Sequence, residues 1–371
     1  MATHLVELLR MSDPVLHGFS EIYVWAPKAM LSRLASRPWL VKCPEPVLER
    51  NFLWRAIWQK QRIGGLARDR KCNLLLVVNS SFATDFRPVV TISRNLLPFA
   101  WRELWRFGFS PATIKYCLLR QVHSSSFRKA SGVIFLTRYA MELITKVTGV
   151  LGGHAAVIPH GVDGRFFIEP RISRPLVECS ISRPLQLLYV STVDNYKHQW
   201  NVVEAVARLR SEGLPLSLIL IGSAYGPALR RLQRVLGRLD PQGSFIRYLG
   251  VVPYEELHAY YATADICVFA SSCENLPNAL LEGMAAGLPI ACSNRRPMPD
   301  MLGDAGEYFD PESPDSVARA IKRLVESPEM RAHKAQAAYK RAQQYSWKRC
   351  ADETFGFLAR VAAADTAKGR D

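Results

Sequence analysis

The sequence predicts an α/β protein of two doubly wound, parallel-sheet units joined near the middle of its 371 residues. Three observations carry this. Short apolar runs ending in small or turn residues alternate with helical patterns along the second half, which is how buried parallel strands and their crossovers read. The first half repeats the alternation less cleanly. Between them Gly164 to Pro184 is irregular, with three prolines and no clear period, and the chain exceeds one ordinary core of ~150 residues.

In the second half the expected strands are Leu185 to Val190, Leu216 to Gly222, Phe245 to Gly250, Ile266 to Ser271 and Gly287 to Ser293. The expected crossovers are Trp200 to Arg210, Pro227 to Leu239, Tyr254 to Ala264 and Pro277 to Ala286. In the first half, strands are expected at Glu21 to Trp25, Asn73 to Val78, Pro88 to Ser93, Gly132 to Thr137 and Ala156 to Ile158, with a long helix within Pro46 to Arg70. This gives an N-terminal domain over residues 1–165, a linker at 166–184, a second domain at 185–345 and a last helical stretch at 346–371 that could pack back on the first domain. In a doubly wound sheet ligands sit at the carboxyl ends of the strands, so the loops after Val190, Gly222, Gly250 and Ser271 are the places to look.

Composition narrows the function classes. The chain is 49% hydrophobic and 10% aromatic, as a folded protein is. No uncharged apolar run reaches the ~18 residues needed to cross a bilayer, and Met1 to Arg10 does not read as a secretory signal, so a cytoplasmic address is expected. Eight scattered cysteines without close pairs argue against a disulfide framework or a zinc site. The net charge of +15 is uneven: residues 1–165 hold 23 Lys/Arg against 10 Asp/Glu (+13), and residues 166–371 hold 25 against 23 (+2). A basic first half suits an anionic surface such as a membrane leaflet or a diphosphate-linked lipid. Phe99 to Lys129 mixes Trp101, Trp105, Phe107 and Phe109 with Arg102, Arg106, Lys115, Arg120, Arg128 and Lys129, which fits a membrane interface; the bland reading is a helix that buries its tryptophans. No nucleic-acid-binding module accompanies the charge, and none is expected to bind.

The sharpest feature is Glu274 and Glu282 in SSCENLPNALLEGMAAGLPI. Pro277 suits the start of a helix, which leaves Glu274 in the preceding loop and puts Glu282 inside the helix. Free N–H groups near Asn278 and Ala279, with the helix dipole, would attract an anion such as a diphosphate. One carboxylate could accept from sugar hydroxyls and the other from ribose hydroxyls. The competing reading is a capping Glu followed by a solvated one.

This stretch resembles the E-x7-E signature of the retaining family 4 glycosyltransferases, also called glycosyl transferases group 1. The similarity includes VIPHGVD, YVSTVDNYKHQWNVVEAVARL, YLGVVPYEELHAYYATADICVFASSCENLPNALLEGMAAGLPI and MLGDAGEYFDPESPDSVARAIKRLVESPEM, in family order over about 130 to 355, roughly 60% of the chain. The resemblance implies the GT-B fold, two Rossmann-like domains facing a cleft. It implies that Lys197 neutralises a diphosphate leaving group, Glu282 binds ribose and Glu274 contacts the donor sugar. Gly222, Ser223, Gly250 and Val251 would offer backbone to the nucleotide, and Asn275, Leu276, Pro277 and Asn278 would line the donor site. No Asp-x-Asp motif is present, so no metal or other cofactor is expected.

The sequence departs from the family pattern in three places. Thr192 stands where many members carry an arginine. Arg94 in VVTISRNLLPF takes the place of a histidine near the donor sugar, as a phosphate or sugar contact or as a solvated loop residue. Met1 leads straight into an apparent helix, without the family's first strand and glycine-rich loop. The activity implied is transfer of a hexose, mannose or a relative, from a nucleotide-sugar to a glycan or lipid-linked acceptor for a surface polysaccharide such as O-antigen, at the cytoplasmic face of the inner membrane. The alternatives are a catalytically impaired nucleotide-sugar-binding remnant and a peripheral membrane scaffold.

Overall fold

The computed structural model describes residues 2–368. The elements run α1 (Ala2–Met11), β1 (Ile22–Ala26), α2 (Lys28–Leu31), β2 (Leu40–Pro44), α3 (Phe52–Trp58), α4 (Gly64–Asp69), β3 (Leu75–Val77), β4 (Val89–Ser93), α5 (Trp101–Leu104), α6 (Pro111–Lys129), β5 (Gly132–Phe135), α7 (Arg138–Thr148) and β6 (His154–Val157). They continue with β7 (Leu185–Val190), α8 (Gln199–Ser211), β8 (Leu216–Ile221), α9 (Gly226–Leu239), β9 (Ile246–Tyr248), α10 (Leu257–Thr263), β10 (Ile266–Phe269), α11 (Asn278–Ala285), β11 (Ile290–Ser293), α12 (Met298–Leu302), β12 (Gly306–Phe309), α13 (Pro314–Glu326), α14 (Pro328–Ala342) and α15 (Trp347–Lys368). Two compact units result: Met1–Trp101, Ser110–Gly161 and Ser346–Asp371 form the first, and Arg102–Phe109 with Val162–Tyr345 the second.

The second unit holds a six-stranded parallel sheet in the order β12-β11-β10-β7-β8-β9. Its central strands are mostly apolar because helices cover both faces: Leu187, Leu188, Leu218, Val268 and Ala291 are all fully buried. The winding reverses between β7 and β10, whose Leu187 and Ile266 lie side by side. At such a switch point the two strand-end loops diverge and leave room for a ligand, and the loops concerned carry Lys197 and Glu274.

Residues 166–184, expected to be a linker, belong to this compact unit and are anchored to it at a few points, although most of the stretch is exposed or half-exposed. Phe166 is fully buried against the rings of Tyr254 and Tyr261. The Ile168 N–H donates to the Ala285 carbonyl, and Arg174 pairs with Asp265 at 2.8 Å. Prolines and missing periodicity signal irregular backbone, which a protein can bury once its polar groups find partners.

In the first unit the strands fall into two sheets, β1-β2 and β3-β4-β5-β6, all parallel. Ile63, Ala67, Leu75, Phe86 and Val89 form one core cluster. Residues of α15, including Phe357 and Val361, pack over Gly132 so closely that a side chain there would need them to give by a few tenths of an ångström. The division into two sheets leaves facing edges. The Ile22 N–H bonds the Trp39 carbonyl and the Leu75 N–H the Pro88 carbonyl. Backbone direction alternates along a strand, so the amide groups of Tyr23, Trp25 and Leu76 point away from their paired neighbours. Both edges line a cavity of about 540 Å³, with Leu5 and Leu8 of α1 and Leu358 of α15 in its wall. Unpaired strand amides are held only by water. In hydrogen exchange the amides of Tyr23, Trp25 and Leu76 should therefore exchange at least ~tenfold faster than those of Val24 and Leu75; equal protection would mean that the two edges are paired.

Candidate functional site

Lys197 is placed by the turn that leaves β7. The Tyr189 hydroxyl, buried under the sheet, donates to the Lys197 carbonyl at 2.6 Å, and the Lys197 N–H donates to the Asp194 carbonyl at 3.0 Å. His198 follows with φ of 52°, the left-handed conformation that turns the chain into α8. Lys197 is only 8% exposed; its Nζ lies 5.2 Å from the Tyr196 ring and 5.6 Å from that of Phe269 and pairs with the Glu274 carboxylate. A lysine so enclosed is not a solvated loop residue. Its one acidic partner leaves two donors of the ammonium to turn toward another anion.

Glu274 sits in the loop between β10 and α11. Pro277 caps α11 without a side-chain bond, so the first turn of N–H groups depends on other partners. Asn275, Leu276 and Pro277 are buried, Asn278 is exposed and Ala279 half-buried.

Glu282 lies inside α11 and is 4% exposed, which rules out the solvated-face reading. Burial raises its carboxyl to about 7, against hydrogen bonds from Tyr261 and Tyr254 that favour the charged form. The Tyr261 hydroxyl stands 3.2 Å from Oε2 and also reaches the Ala279 carbonyl at 3.0 Å. These two tyrosines come from α10 and the loop before it. Sequence reasoning missed them, although a tyrosine inside an apolar helix face is a signal for a buried polar partner.

Gly222 is placed for close backbone approach, and Gly250 for a positive φ. Gly222 ends β8 with φ of 146°, and a Cβ there would stand 2.2 Å from the Ser191 carbonyl oxygen. Its N–H donates to the Gly250 carbonyl at 2.8 Å, and Gly250 has φ of 70°. Val251 is exposed. Thr192 and Ser223 bring their hydroxyls within 3.1 Å of each other. The strand-end loops of the second unit therefore present Lys197, Glu274, Thr192, Ser223, the Gly222–Gly250 pair and α11.

Arg94 belongs to the first unit, at the end of β4. Its backbone N–H bonds the Ser80 hydroxyl at 3.0 Å, and its guanidinium is largely buried, which lowers its pKa. It makes no ion pair among the described residues. The segment singled out for a membrane surface is mixed. Phe99 is buried, whereas Trp101 and Trp105 are about half exposed and Phe109 almost fully. On α6, Ile114, Leu118 and Val122 are exposed one turn apart. No helix among the described residues is long and apolar enough to cross a membrane.

Comparison with known proteins shows what the chain is similar to. Residues 180–341 match the family described as glycosyl transferases group 1. An O-antigen chain mannosyltransferase B of Escherichia coli is 30% identical over 167 residues, 45% of this chain and 44% of that protein. A GDP-mannose-dependent alpha-(1-6)-phosphatidylinositol dimannoside mannosyltransferase of Mycobacterium tuberculosis is 26% identical over 238 residues, 62% of this chain and 58% of that one. The chain thus spans about half the length of these relatives. The sucrose-phosphate synthase of Thermosynechococcus elongatus superposes with a TM-score of 0.74 at 17% identity, covering 96% of this chain and 92% of that one. The fold is GT-B.

Proposed function

We propose that this chain, whose residues 180–341 belong to the glycosyl transferases group 1 family, is a retaining glycosyltransferase. It moves a hexose, mannose or a close relative, from a nucleotide-sugar to a hydroxyl of a glycan or lipid-linked saccharide in cell-surface polysaccharide synthesis. The observation that carries this reading is the Lys197–Glu274 pair at the switch point of the second unit, with Glu282 buried inside the helix that follows. The first half of the family pattern's site is less well matched, and the relatives named above support mannose through their own donors.

On this reading Lys197 leaves Glu274 to meet the diphosphate, and the α11 N-terminus adds N–H donors that stabilise the departing charge. Freed from the lysine, Glu274 accepts from hydroxyls of the donor sugar. Glu282 accepts from the ribose hydroxyls. No metal or cofactor is assigned, and no side chain is assigned as a covalent nucleophile; the departing phosphate takes the acceptor's proton as the acceptor attacks from the same face. The exposed stripe on α6 and the basic first half favour an anionic membrane as the place where a lipid-linked acceptor is met, at the cytoplasmic leaflet.

Calorimetry with a panel of nucleoside diphosphates and nucleotide-sugars tests the donor site. One base should bind selectively, and Lys197→Ala and Glu282→Ala should each weaken it at least ~tenfold. Absence of binding to the unaltered chain would sink the reading. Sedimentation with phosphatidylglycerol vesicles, compared with phosphatidylcholine vesicles, tests the membrane part: binding to both or to neither argues against an electrostatic surface.

A further inference from the structure

The Arg102–Phe109 segment comes from the first half of the sequence, yet it is part of the second unit. Its residues bond the two loops of the donor site. Glu103 is 7% exposed, and one of its oxygens, Oε2, accepts from the Ser272 hydroxyl at 2.6 Å and from Arg106 Nε at 2.6 Å. Ser272 lies two residues before Glu274. Its hydroxyl also stands 3.0 Å from His198 Nε2, and its N–H donates to the Tyr196 carbonyl at 2.8 Å. Tyr196 and His198 flank Lys197. Asn195 Nδ2 adds a bond to the Arg106 carbonyl at 3.3 Å, and Arg106 Nη2 reaches Glu312 at 2.9 Å.

The direction of this chain of bonds follows from its end. A carboxylate only accepts, so the single Ser272 proton goes to Glu103 rather than to the Tyr196 carbonyl at 3.2 Å. Ser272 then accepts from His198, which requires the proton on Nε2. His198 is neutral, because burial and the nearby Arg106 lower its pKa to about 4. Ordered this way, His198 to Ser272 to Glu103 ties the loop carrying Lys197 to the loop carrying Glu274.

We propose that Glu103 is a positioning residue of the donor site, setting the spacing of Lys197 and Glu274 through Ser272 and His198. It rests on the reading of those two residues as donor ligands. A network that fixes a separation acts on the step needing both loops in register, so its loss lowers turnover more than it weakens binding.

The test uses the full chain, its Glu103→Ala and Glu103→Gln variants, and GDP-mannose as donor probe, with hydrolysis followed without acceptor. Glutamine keeps an oxygen at the Oε2 position and can accept from both Ser272 and Arg106; alanine cannot. Glu103→Ala should lower kcat about tenfold to a hundredfold while KM changes less than ~threefold. Glu103→Gln should restore most of the loss. Nitrogen NMR of the His198 ring should show the Nε2–H tautomer in the unaltered chain and the glutamine variant, and a mixture in the alanine variant. An alanine variant with unchanged kcat and tautomer overturns the proposal, as does an equal loss in both variants. If the unaltered chain does not turn over GDP-mannose, the donor reading fails with that probe, and the tautomer comparison decides the network by itself.

Discussion

Lys197→Ala should lower donor turnover about a hundredfold to a thousandfold, the loss seen when one fixed donor to developing charge is removed from a reaction site. The argument is one of substitution. Thr192 occupies the position where the resemblance leads one to expect an arginine, and its hydroxyl is turned to Ser223. Arg106 is already held by Glu103 and Glu312. Among the described groups of the second unit named above, the α11 N-terminus is the remaining help for the diphosphate. With a single lysine facing it, the variant has little to compensate with. The same change strands the Glu274 side chain, 13% exposed, without its cation, which should cost about 2 kcal/mol of stability. The two consequences separate in a double variant. Lys197→Ala with Glu274→Gln should regain most of the melting loss, because no buried charge is left unpaired, and none of the turnover. Turnover of the double variant equal to that of Glu274→Gln alone would show that Lys197 acts only to hold Glu274.

How much of this was legible in the sequence depends on where each signal sits. The strands β7, β8 and β10 are flanked by helices on both faces, so each reads as a short, mostly apolar run, broken only by Gln186 in β7 and Ser217 in β8. β2 and β12 were not visible in that way. β2 is half-exposed along most of its length, and β12 is an edge strand whose Glu307 is taken up by Arg323 and Lys334. The spacing of Glu274 and Glu282 put one in a loop and the other in a helix, but spacing says nothing of burial. That depends on Tyr254 and Tyr261, which only the fold brings over. The linker expectation failed for a related reason: Phe166 and Arg174 read as irregular chain until their partners are known. Arg102–Phe109 shows the limit most clearly, since its bonds to Ser272 span a separation that no local pattern reports.

Glu282 should make both stability and donor affinity depend on pH, in opposite directions. Its carboxyl lies at about 7 in the folded protein against the ordinary 4.5, because burial disfavours the charge. Between those values the folded state binds more protons than the unfolded state, so stability falls as pH rises through this window and is level above about 7. The full shift corresponds to about 3 kcal/mol. Glu282→Gln removes the titrating group and should flatten the profile over pH 5 to 8, leaving the variant relatively more stable at the alkaline end. Binding runs the other way. Ribose hydroxyls donate hydrogen bonds, which the carboxylate accepts better than the acid, so a bound nucleotide pulls the proton off. A nucleotide-sugar is the right probe, since it has no terminal phosphate titrating near neutrality. Its affinity should rise as pH goes from about 5.5 to 7.5, by up to ~tenfold per unit below the carboxyl's own pKa. Calorimetry in buffers of different ionisation enthalpy should show proton release on binding below about pH 7 and none with Glu282→Gln, which binds weakly throughout. An affinity that does not change with pH in the unaltered chain would place the ribose away from Glu282 and leave that carboxylate as part of the buried tyrosine cluster alone.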